Sequence, residues 1–296
     1  MPLHPSAPEE LPDLVEGYRQ AMRSFIDLGR SCPESKVDDP TPCPGWSVKD
    51  HFAHIASLEA YFDGADYPEV ELPDRGHLRG AFTTWLEHGV QARRDLSMEE
   101  VLEELETLMF NRIATLGNPE LTLETAVRAP MDREMLLGDL LERRLSDIWV
   151  HEQDIREALG RIGNLDSPAA STFVGRIVDA FPRILAKRLH LPAGQTVIVE
   201  STGPVTARVG VRMAHNSDGE VVGHTLFSGS QETAAEDAAD QIEHPEEDVA
   251  STTIMMSTDA LTRRAAGRRS TEETSYRVVG DEETARAVLD ALVITP

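Results

Sequence analysis

Cysteine, aromatic residues, surplus positive charge and long apolar runs are all scarce in this chain. Cys32 and Cys43 are the only thiols among 296 residues, so neither a disulfide framework nor a paired CxxC zinc motif can be written. Aromatic residues make up 5% of the chain, which leaves Leu, Val, Ile and Ala to build any core. Lys and Arg number 28 against 52 Asp and Glu, a formal charge of −24. That balance repels phosphate and argues against nucleic acid or an anionic membrane as partner. No stretch reaches the roughly 18 apolar residues that span a bilayer. The opening Met1-Pro2-Leu3-His4-Pro5 lacks the basic-then-apolar order of a secretion signal. The expected setting is cytoplasmic.

What is present is 40% hydrophobic and changes period partway along. The length suits two domains, with a division expected at 1–164 and 165–296. Leu11, Leu14, Val15, Tyr18, Met22 and Phe25 keep the three-and-four spacing of an amphipathic helix. A rigid segment, Thr41-Pro42-Cys43-Pro44-Gly45-Trp46, precedes a second helix capped by Ser47 with Asp50 in its first turn and Val48, Phe52, Ile55 and Phe62 as its stripe. A third is expected around Leu78, Phe82, Trp85 and Leu86. Ser97-Met98-Glu99-Glu100 opens a fourth as a capping box, and Gly117 stops it. A long helix carrying Leu137, Leu141, Ile148, Ile155 and Leu159 ends near Gly160. With no strand pattern between them, these helices predict an antiparallel bundle.

Beyond Asn164 the pattern turns mixed. A helix opens at Ser167-Pro168, and Pro182 should kink it or end a turn. Val197-Ile198-Val199, Thr206–Met213 and Val221–Leu226 read as strands, the last two joined by Asn216-Ser217-Asp218-Gly219. Ile254 to Ala266 reads as an apolar helical stretch, followed by Tyr276–Val279 and a last helix from Glu282 to Leu292. The expected class is an α+β domain. Glu232 to Asp248 holds eight carboxylates and no Lys or Arg, read as a solvated face or loop.

The chemistry-bearing residues sit on two of the helices. Asp147 and His151 are four apart, which stacks them on one helical face. At about 100° per residue, Arg144, Asp147, His151 and Asp154 form a ridge beside the Leu141–Ile148–Ile155 stripe. His51 and His54 flank the second helix's stripe in the same way, and either suits a third ligand. Two such ridges meeting would give a divalent-metal site with open positions, the mark of a catalytic site rather than a structural one. The same four-residue spacing also serves a surface ion pair worth a few tenths of a kcal/mol. Cys43, between two prolines, reads as packed rather than nucleophilic.

Two stretches carry a resemblance. Thr41-Pro42-Cys43-Pro44-Gly45-Trp46-Ser47-Val48-Lys49-Asp50-His51-Phe52-Ala53-His54 resembles the start of the second helix in the mycothiol-dependent maleylpyruvate isomerase family, part of the DinB/YfiT-like group of metal-binding four-helix bundles. Trp149 to Gly160 is similar to that family's other hallmark helix, and Gly267-Arg268, Gly280-Asp281 and Leu292–Pro296 resemble its second domain. The resemblance implies a DinB-like bundle followed by a smaller α+β domain. It implies a divalent metal, most often zinc, on His54, His151 and the carboxylate at 147, with mycothiol, an actinobacterial thiol, as cosubstrate and a small electrophile as substrate. One departure stands out: the family usually carries Glu where this chain has the shorter Asp147. Asp154 is a candidate for orienting a ligand, and Arg268, favoured over its neighbour Arg269 by the resemblance, for binding a substrate carboxylate. Arg144 is a weaker anion-binding candidate. The implied activity is isomerisation or thiol transfer by a monomer or homodimer, and the alternative is a noncatalytic binding module on the same bundle.

Overall fold

A computed structural model describes residues 3–73, 76, 78, 80–227 and 250–295; the acidic run Glu232–Asp248 lies outside them. The described residues form two units. One is Pro8–Asn164, and the other combines Met1–Ala7 with Leu165–Pro296. The early residues join the later unit through an antiparallel bridge between His4 and Thr206.

The first unit is built on α1 (Leu11–Arg30), α2 (Val48–Phe62), α3 (Ala81–Gln91), α4 (Met98–Leu116) and α5 (Leu137–Leu159). α1 packs on α4 and α5, while α2 touches α3, α4 and α5. The local signals act as their chemistry dictates. Ser47 and Ser97 each close a full capping box, with Asp50 and Glu100. α5 ends where Gly160 takes the left-handed conformation, φ +65°. Phe25 and Phe52 meet at 4.5 Å between ring centroids. Gly29 lets α1 come that near, since a Cβ there would lie 2.8 Å from both Phe52 and Leu102.

α2 is buried along almost its whole length and not only along its apolar stripe: Asp50, His51, His54 and Glu59 are as covered as Phe52 and Ile55. The strand-free reading of this half needs correction. A hairpin, β1 (Ala126–Ala129) with β2 (Arg133–Leu136), stands before α5. Its turn places Met131 and Asp132 at φ +62° and +55°, where Gly or Asn is usual, so no turn signal marks it. A distant residue compensates. Tyr61 Oη accepts from the Asp132 backbone N–H at 2.8 Å and lies 3.0 Å from Ala129 O, to which it donates.

The second unit is a five-stranded sheet in the order β5-β4-β3-β6-β7: β3 (Thr196–Thr202), β4 (Ala207–His215), β5 (Val221–Phe227), β6 (Ser251–Ser257) and β7 (Tyr276–Val279). β3 and β6 run parallel, and every other pairing is antiparallel. Val197, Val199, Val209, Val211 and Ile254 point into its core. α6 (Pro168–Arg183) lies on β4 and β5, with Pro182 in its last turn and a looser π turn, Ile184–Arg188, directly after. The helical reading of Ile254–Ala266 is corrected in its first part. Ile254 to Ser257 belong to β6, and the helix is Thr258–Ala265, capped by the Ser257 hydroxyl. The β-branched run Thr252-Thr253-Ile254 suits a central strand, and the apolar residues mask the switch of period. The final helix spans Glu282–Ala291.

Candidate metal centre

α2 begins on a tied loop. The Thr41 N–H and hydroxyl both donate to Trp46 O, at 3.1 and 3.0 Å, and Gly45 turns the chain at φ +82°. The loop lays the Trp46 ring beside three imidazoles, with centroids 4.9 Å from His54, 5.3 Å from His151 and 5.4 Å from His51. The indole N–H donates to Glu87 Oε2 at 2.9 Å, which fixes this roof from α3.

Beneath it, α2 and α5 bring His54, Asp147 and His151 together. His54 Nε2 is 3.3 Å from Asp147 Oδ2, and His151 Nε2 is 3.5 Å from Asp147 Oδ1. One ligating atom from each lies within 4.8 Å of the others. A tetrahedral zinc with bonds of about 2.0–2.3 Å holds its ligand atoms roughly 3.3–3.8 Å apart. Each imidazole lies near that spacing from one oxygen of Asp147, His54 from Oδ2 and His151 from Oδ1, and two imidazoles with one carboxylate suit zinc or a similar borderline ion. The three residues therefore fit the group the resemblance implies. His54 Nδ1 is buried with no hydrogen-bond partner among the described residues.

The neighbours set the charges. Burial drives the His54 imidazole down to about 4, against the pull of Asp147, so its neutral, ligand-ready form prevails at pH 7. Asp147 is held well below the usual carboxylate range: its burial opposes this, but His54, His151 and the Arg144 guanidinium outweigh it. His151 is raised, because hydrogen bonds to Asp147 and Asp154 overcome the opposing effect of burial.

Each remaining candidate has a defined place. His51 does not face Asp147. Its Nδ1 is 2.9 Å from His151 Nδ1 and its Nε2 is 2.8 Å from Thr41 Oγ1. Asp154 is fully buried with Oδ2 3.4 Å from His151 Nδ1. Arg144, proposed above for an external anion, faces internal ones: it lies 2.5 Å from Asp147 Oδ2 and 2.7 Å from Glu59 Oε1. Arg268 belongs to the second unit, where its Nη1 donates to Ala266 O at 2.9 Å; the neighbouring Arg269 pairs with Asp259 at 2.6 Å. Cys43 packs against Trp46, Ala53 and Val90.

Two participants were not singled out from sequence. Glu59 accepts from Tyr18 Oη at 2.8 Å and anchors Arg144, and Trp46 forms the roof. A carboxylate inside the apolar run Ile55–Phe62 was the available signal for Glu59, since an acid there must find a buried cation.

No curated protein matches the chain. Two solved structures resemble it, both of a mycothiol-dependent maleylpyruvate isomerase, one being a histidine-to-alanine variant. They share 13% and, for the variant, 11% identity; each alignment covers 90% of this chain and 93% of the other, with a TM-score of 0.49. Residues 18–156 match the family described as mycothiol maleylpyruvate isomerase N-terminal domain, a span that takes in Trp46, His54, Asp147 and His151. Over that span the first unit of this chain is similar to the mycothiol maleylpyruvate isomerase N-terminal domain.

Proposed function

We propose that this protein is a mycothiol-dependent metalloenzyme acting on a small electrophile, with His54, Asp147 and His151 as ligands of a divalent ion, zinc by donor type. On this reading α1, α2, α4 and α5 are the antiparallel four-helix bundle of the DinB-like group. The observation that carries the proposal is the convergence of two imidazoles and one carboxylate from two helices, 3.3 and 3.5 Å apart, under a tryptophan roof. Three protein ligands leave room for an outside donor.

A bound divalent ion would supply the charge that removes the proton of a thiol at neutral pH. The chain's own groups prepare that step. His54 offers a lone pair because burial keeps it neutral. Arg144 holds Asp147 ionised and in place while Glu59 holds Arg144. Asp154 faces the far nitrogen of His151 and orients the ring, and Trp46 keeps water off all three imidazoles. A thiolate adding to a conjugated cis double bond turns it into a single bond; rotation and expulsion of the same thiol then give the trans isomer. Retention of the adduct would make the protein an S-transferase. Arg268 is proposed as a carboxylate-binding residue.

The test is isomerisation of maleylpyruvate by zinc-loaded protein with and without mycothiol. Activity that needs the thiol and vanishes in His54→Ala and His151→Ala supports the proposal. Equal activity without thiol overturns it. A noncatalytic module is the second reading, favoured by the 2.5 Å Arg144–Asp147 contact, which engages the one carboxylate ligand. Zinc binding without turnover of any thiol and electrophile pair would select it.

A further inference from the structure

His151 presents its two ring nitrogens to two different sets of donors. Nε2 looks toward Asp147, at 3.5 Å from Oδ1. On the opposite edge, Nδ1 looks toward Asp154 Oδ2 at 3.4 Å. Cys43 clusters with the same pair: its Sγ, one His151 nitrogen and one Asp154 oxygen all lie within 4.8 Å of one another, and Nδ1 is the nitrogen that faces Asp154. Asp154 and His151 are buried and Cys43 is half-buried. A thiol, an imidazole and a carboxylate at this spacing are a zinc-type donor set, and the sulfur gives it a preference for thiophilic ions that the His54 set lacks.

We propose that Cys43, His151 and Asp154 form a second metal position, selective for thiophilic divalent cations, that competes with His54–Asp147–His151 for the same imidazole. The competition follows from ring chemistry. A neutral imidazole carries one lone pair and one N–H, so His151 serves one ion at a time. With the ion on the Nε2 edge, Nδ1–H donates to Asp154. With the ion on the Nδ1 edge, Nε2–H donates to Asp147. Both arrangements satisfy the ring, and the tautomer selects between them. Occupation of the second position releases the Cys43 proton to solvent and displaces His51 Nδ1, now 2.9 Å from His151 Nδ1, while His51 Nε2 keeps its contact with Thr41. No oxidant is needed. An ion held there leaves the His54 set without its shared ligand.

Titration of the full-length protein with cobalt tests this, because a thiolate ligand adds a near-ultraviolet sulfur-to-cobalt band. His54→Ala and Asp147→Asn each break the first set from a different helix, so one suffices if the other fails to fold. Both should still bind about one cobalt per chain and show the band strongly; adding Cys43→Ser should abolish the band and weaken cobalt binding at least about tenfold, within the range that loss of a supporting group causes. Absence of the band in both variants, or its persistence after Cys43→Ser, overturns the proposal. The outcome is separable from the catalytic reading. Cys43→Ser alone keeps the His54 set intact, so retained zinc and thiol-dependent turnover there uphold that reading whatever the band shows.

Discussion

The two units bury different chemistry. The first buries Glu59, Arg144, His51, His54, His151 and Asp154 inside helices whose other positions are ordinary core residues. The second fills its sheet with Val, Ile, Met and small hydroxyl residues; its buried charges, Arg263 and Arg264, stand on the helix after β6, and Arg264 reaches past the core to cap Leu289 O and Asp290 O of the last helix. A core of the second kind is held by apolar area and tolerates repacking. A core of the first kind is satisfied only as a set, because removal of one member strands another in low dielectric. The difference separates a unit shaped for stability from one shaped around a site.

The sharpest way to break this contrast is His151→Ala. It removes the residue common to both donor sets, so zinc content by mass spectrometry should fall from stoichiometric to none, and added zinc should no longer raise the melting temperature. Arg144→Met comes next. It leaves Glu59 and Asp147 without their buried cation and should cost about 3–5 kcal/mol in urea unfolding, with weaker zinc binding as well. Ile254→Ala in the sheet should cost a similar amount, about 2–5 kcal/mol, yet leave zinc affinity unchanged. If it weakens zinc binding as Arg144→Met does, the division between the two cores fails. Asp154→Asn keeps the shape and removes a charge, and a loss of about 10–100-fold in zinc affinity by competition with a chelator is expected. The smallest effect belongs to Tyr61→Phe. Freeing the Met131–Asp132 turn should cost about 1 kcal/mol, read as faster hydrogen exchange in β1 and β2.

Legibility followed the range of the forces involved. Capping boxes at Ser47 and Ser97, the stop at Gly160 and the strand alternation around Val209 are local, and the chain displays them openly. The β1–β2 hairpin was hidden because its stability comes from Tyr61, about seventy residues earlier, and its turn uses residues that do not announce it. Strand β6 was hidden because Ile254-Met255-Met256 is apolar in either period, and only its place between β3 and β7 decides. At the site, helical spacing brought Asp147, His151 and Asp154 onto one ridge. It did not distinguish His51 from His54; that needed the rotation of α2 against α5, which turns His54 toward Asp147 and His51 toward the opposite nitrogen of His151.

One consequence follows from the unequal coverage of the trio. The His54 side chain is 1% exposed and that of His151 8%, while Asp147 is 33% exposed. On the function proposed above, Asp147 would be the doorway: within the first unit, a cation or a sulfur bound for the imidazoles would arrive along its carboxylate. The short acid in place of a longer one then sets the width of the threshold as well as the strength of a bond, and a bulkier thiol conjugate would feel that choice before any chemistry began.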